Sequence, residues 1–72
     1  MQLNMTEVDD MLASGGNYRC ASVELFEEEL VARDVRVTQK GEFEEPVMLY
    51  LSAGRVVAWY DTEQCLGYMP EY

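Results

Sequence analysis

The sequence predicts an α+β domain, with one or two short helices packed on a small, mostly antiparallel sheet centred on a hairpin over residues 47–60. Three observations carry that expectation. Val47 to Tyr60 holds two runs rich in β-branched and aromatic residues, separated by Ser52-Ala53-Gly54-Arg55, which is the punctuation of a β-hairpin. Two further segments space their apolar residues at helical intervals behind capping residues. The chain has 72 residues, near the lower size at which a hydrophobic core alone supports folding, so residues 1–72 are expected to form one domain with a fully used core.

The hairpin sets the terms for the rest. A strand with one wet face alternates apolar and polar residues, whereas each of these runs is apolar at nearly every position, so both faces need cover. Val47, Leu49 and Leu51 take one face and Met48 and Tyr50 the other. On the returning strand Val56, Ala58 and Tyr60 stand against Val57 and Trp59, and the pairing register decides which sets meet.

In chain order, the first element is a helix over residues 6–14. Met5, Val8 and Leu12 share one side with Met11 at its edge, Thr6 serves as N-cap, acids occupy the first turn and Gly15-Gly16 supplies the stop. Tyr18 to Val37 reads two ways. As strand, Ala21, Val23 and Leu25 alternate with Cys20, Ser22 and Glu24. As helix, Ser22 is the N-cap, Val23, Phe26 and Leu30 form a stripe, and Arg33 closes the end. The helix over 23–33 explains more residues, although Leu25 points off its stripe. A strand is then expected over Val35 to Gln39, and Lys40 to Pro46 reads as an acidic loop with Phe43 tucked back to the core. After the hairpin, Asp61-Thr62-Glu63-Gln64 has the form of a capping box, so Thr62 to Leu66 suits one helical turn ended by Gly67, or equally an extra edge strand.

Composition narrows the function classes. The 14 acids against Arg19, Arg33, Arg36, Lys40 and Arg55 give a formal charge of −9, which disfavours direct binding to nucleic acid or anionic membrane and favours a basic partner. The first residues carry no signal-peptide pattern and no run approaches a bilayer span, so the expectation is a soluble, cytoplasmic protein. Cys20 and Cys65 lack a secretory context and are expected to be free thiols. The sequence contains no histidine, which removes the commonest general base and metal ligand, leaving no catalytic, metal or cofactor residues to nominate. A small enzyme is the least favoured class.

Two features point to a partner. Acids cluster at Glu24, Glu27, Glu28 and Glu29 and again at Glu42, Glu44 and Glu45. On a helix Glu24 and Glu28 lie about 5.4 Å apart along the axis, and alternate strand residues about 6.6 Å apart, so acids so placed can imitate a phosphate ladder. The second feature is a surplus of aromatic residues, of which Tyr50, Trp59 and Tyr68 are candidates for contact because a 72-residue chain is expected to leave part of the hairpin uncovered. The corresponding assembly is a homodimer, or a monomer that keeps an apolar patch including Tyr50, Val57 or Trp59. No motif matches a family. The format alone, short, acidic and free of histidine, is similar to that of phage inhibitors such as anti-CRISPR and DNA-mimic proteins, and of antitoxins. The expected function is a non-catalytic protein-binding module, an inhibitor that occupies a basic nucleic-acid-binding surface; the alternative is an accessory or antitoxin-like subunit held by an aromatic face.

Overall fold

A computed structural model of the chain describes residues 5–70, except the side chains of Phe43 and Glu44. The expected tucking of Phe43 therefore lies outside the described residues. Two helices, α1 (Met5–Ala13) and α2 (Val23–Ala32), pack on a five-stranded sheet of β1 (Tyr18–Arg19), β2 (Gln39–Glu44), β3 (Val47–Ser52), β4 (Arg55–Asp61) and β5 (Leu66–Tyr68). The strand order is β1-β5-β4-β3-β2, with every neighbouring pair antiparallel.

The hairpin is the centre of this sheet and its two faces are covered separately. Leu49, Leu51, Val56 and Trp59 pack with Val8 of α1, and Tyr50, Ala58, Tyr60 and Met69 pack with Phe26 and Leu30 of α2. Strict alternation along β4 fails. Tyr50 pairs with Ala58 but Leu51 with Val56, so a bulge absorbs Val57 and lets Val56 and Trp59 share a face. Putting one helix on each face also removes the premise that the chain is too short to cover the hairpin. Tyr50 and Trp59 are 1% and 7% exposed, and Val57 packs against the α2-side cluster, so none of them supplies an open aromatic face.

Local chemistry explains the elements. Ser22 caps α2, its Oγ accepting from the Leu25 N–H at 3.3 Å. Helix α1 has already begun at Met5, so Thr6 lies inside it and is not the cap, and Gly15 ends the segment at φ +77°. The Trp59 indole N–H donates to the Met11 carbonyl at 2.7 Å, beside the Ser14 N–H that reaches the same oxygen at 3.2 Å, and so ties the last turn of α1 to β4. Asp61 Oδ1 accepts from the Glu63 and Gln64 N–H groups at 2.9 and 3.0 Å. That turn leads into β5, which β1 covers, so β5 is an interior strand.

The strand expected over residues 35–39 forms later, as β2. The reason is the end of α2. Asp34 takes a left-handed φ of +59°, its N–H donates to Val31 O at 3.0 Å and the Val35 N–H donates to Leu30 O at 2.9 Å. This is a Schellman closure in which Val35 packs back on Leu30, so its apolar side chain serves the helix end. The supposed acidic loop then pairs with β3, Gln39 opposite Leu51 through Glu42 opposite Met48. An edge strand needs no second apolar face, and its charges discourage pairing with other chains.

Candidate functional site

The pairing of β2 places the acids. Register partners lie on the same face, so Lys40, opposite Tyr50, and Glu42, opposite Met48, project to the α2 side of the sheet. Lys40 Nζ donates to Glu27 Oε2 at 2.8 Å, which ties α2 to the β2 edge and brings the two acidic runs to one side of the molecule. Glu24 and Glu28 are exposed on α2, and Glu42 and Glu45 on and beside β2. Glu42, Glu45, Pro46, Met48 and Thr62 line a shallow depression of about 300 Å³.

The acids are not equivalent. Glu27 also accepts from the Tyr50 hydroxyl at 3.0 Å. The Lys40 hydrogen bond, with that of Tyr50, holds the Glu27 carboxyl below its ordinary range against the opposing effect of burial. Glu27 is thus a half-buried group that joins α2 to β2 and β3. Glu29 pairs with Arg33 at 3.1 Å on the exposed helix surface, and Arg33 also lies over the Tyr18 ring, 4.4 Å from its centroid. Glu24, Glu28, Glu42 and Glu45 remain the solvent-facing charges of this side, and the Glu44 side chain lies outside the described residues.

Of the aromatic candidates, Tyr50 and Trp59 are core and Tyr68 is half-buried against the α1-side cluster. Among the described residues the exposed large apolar side chains are not aromatic: Met5 at 52%, Leu25 at 47%, Val31 at 79% and Val37 at 37%. Val31 and Val37, with Glu27 and Lys40, line a groove of about 220 Å³ beside the acids. Sequence reasoning passed over Val31 and Val37. The available signal was position: Val31 falls one residue beyond Leu30 and off the Val23, Phe26, Leu30 stripe, as Leu25 does.

Among the described residues no group of three acidic, cysteine or histidine side chains could hold a metal ion, and no helix is long and apolar enough to cross a membrane. No family model, no curated protein and no solved structure matches this chain.

Proposed function

We propose that the protein is a non-catalytic binding module that inhibits a cytoplasmic partner by occupying its basic, nucleic-acid-binding surface. The observation that carries this reading is charge placement. Glu24, Glu28, Glu42 and Glu45 face solvent on the α2 and β2 side, where Arg33 and Lys40 are already engaged by Glu29 and Glu27. With Arg36 the one further cation between α2 and β2, the acids leave an excess of negative charge for a basic partner. The absence of histidine from the sequence agrees with a role that needs no proton transfer near neutrality.

The test is capture from a bacterial lysate at low and high salt, followed by competition. A nucleic-acid-binding protein held at low salt and displaced by added DNA or RNA is the expected result. Binding that is indifferent to salt and to nucleic acid, but lost in Val31→Asp, supports the second reading, an accessory subunit held by Leu25, Val31 and Val37.

A further inference from the structure

We propose that Cys20 and Cys65 form a dithiol site that exchanges with low-molecular-weight disulfides, of the glutathione disulfide class, to give a reversible Cys20–Cys65 bridge. Register is the first observation. Tyr18 pairs with Gly67 and Arg19 with Leu66 on antiparallel β1 and β5, so the next step of the same ladder sets Cys20 opposite Cys65. The Cys20 N–H donates to the Cys65 carbonyl at 3.2 Å, which extends the ladder to that step. Partners in such a ladder carry Cα atoms about 4.5–5.5 Å apart, within the roughly 4.4–6.8 Å that a disulfide spans.

Side-chain placement is the second. Cys20 packs with the α2-side cluster that contains Tyr60, whose hydroxyl donates to the Cys20 carbonyl and lies close enough to both cysteines for them to push it up. Cys65 Sγ reaches toward the Ala21 carbonyl at 3.9 Å. The Cys65 sulfur thus lies against the residue that follows Cys20 in the chain. Cys65 also holds a left-handed φ of +56°, a conformation that favours glycine or asparagine.

The exchange balances as two displacements. The half-exposed Cys65, in the turn before β5, attacks as thiolate one sulfur of glutathione disulfide, forming a Cys65–glutathione mixed disulfide and releasing one glutathione thiolate. The Cys20 thiolate then attacks the Cys65 sulfur, forming the Cys20–Cys65 bond and releasing the second glutathione thiolate. Two protein thiols are oxidised, one small disulfide is reduced to two thiols, and the two protons pass through solvent to glutathione. Burial, with Glu29 nearby, pushes the Cys20 thiol up, so Cys20 takes the second, intramolecular step, where proximity offsets its small thiolate fraction. The bond would staple the two-residue β1 to the last strand and close a loop containing α2, β2, β3 and β4.

Titrating the reduced protein with mixtures of reduced and oxidised glutathione, quenching with acid and alkylating before mass spectrometry tests the site. The expected product is monomeric, lighter by two hydrogens and alkylated at neither cysteine. It should melt about 10 °C or more above the reduced form. Cys20→Ser and Cys65→Ser should each stop at one bound glutathione or stay reduced, with circular dichroism confirming their fold. A persistent glutathione adduct on the unsubstituted protein, a disulfide-linked dimer, or two alkylated cysteines under oxidising mixtures would overturn the proposal without any reference to the variants.

Discussion

At the residue scale, three non-glycine residues among the described ones hold left-handed backbones, Asp34, Ala53 and Cys65, and at two of them a change of residue should stabilise. Ala53 and Gly54, at φ +52° and +80°, form the two-residue turn between β3 and β4 with both central residues at positive φ. Such turns favour Asn-Gly. Ala53→Asn should therefore raise stability by about 0.5–1 kcal/mol, because asparagine tolerates this region better than alanine. Asp34→Gly should act likewise, by about 1 kcal/mol, since it relieves the left-handed strain and removes an anion from the negative end of α2. Urea unfolding with unchanged slope would verify both. Tyrosine ionisation gives a prediction in pH. Burial first, and the neighbouring Cys65 next, push the Tyr60 hydroxyl from 10.0 up to about 12. Its folded value lies above its unfolded one, so its contribution is whole below about pH 10 and is lost as pH rises toward 12. Tyr50 is pushed up too, by burial and by Glu27. The stability of the protein should fall across that window, and Tyr60→Phe, though less stable at neutral pH, should show a flatter decline.

At the element scale, a long-range bond ties the end of α1 to the sheet and a missing side chain lets β5 approach α2. Trp59→Phe removes the indole donor and leaves the Met11 carbonyl only the Ser14 N–H, and it puts a smaller ring in the α1-side core, which together should cost about 1–3 kcal/mol. Hydrogen exchange should quicken in α1 more than in α2, whose Ser22 cap is untouched. A Cβ at Gly67 would meet the Phe26 ring, 2.8 Å from Cδ1 and 2.9 Å from Cζ, so Gly67→Ala should destabilise by roughly 1–3 kcal/mol through overpacking. These elements also show what was legible in advance. The hairpin, both helices, the Ser22 cap and the off-stripe Leu25 follow from period and capping chemistry, which are local. The shift of the strand from 35–39 to β2 was not legible, because the alternation of Val35 and Val37 imitates a strand while Val35 is used to close α2. Gln39 to Glu42 carry no apolar signal because their stabilisation comes from the backbone of β3, a tertiary fact. The same limit applies to the candidate site. The acidic runs could be read from the sequence, but the Lys40 bridge that engages Glu27 could not. The aromatic face was misjudged because nothing local reveals that the two helices take opposite faces.

At the scale of the whole molecule, charge sets folding and binding against each other. The chain carries −9 within extents of 29 × 24 × 19 Å, and the Debye length is about 30 Å at 0.01 M salt, about 10 Å at 0.1 M and about 3 Å at 1 M. At the lowest salt every acid acts on every other across the whole domain. Added salt should therefore raise the melting temperature by screening this repulsion, even though it also weakens the exposed pairs Glu29–Arg33 and Arg55–Glu7, because such pairs contribute only about 0–1 kcal/mol each. Binding to a basic partner should move the other way, since the same screening removes the steering field. Replacing Glu24, Glu28 and Glu42 together by Gln should do both at once, raising the low-salt melting temperature while lowering the association rate. Glu27→Gln should differ from all three. Its carboxyl is held low chiefly by Lys40, so its contribution is present above the ordinary glutamate value and fades as pH falls through the depressed one. Removing that charge should loosen the α2 and β2 contact and abolish this part of the acid sensitivity, with little change in steering. Calorimetry in a salt series beside stopped-flow binding in the same buffers separates the cases. If melting temperature and association rate rise or fall together with salt, the acids of the α2 and β2 side do not form the binding surface.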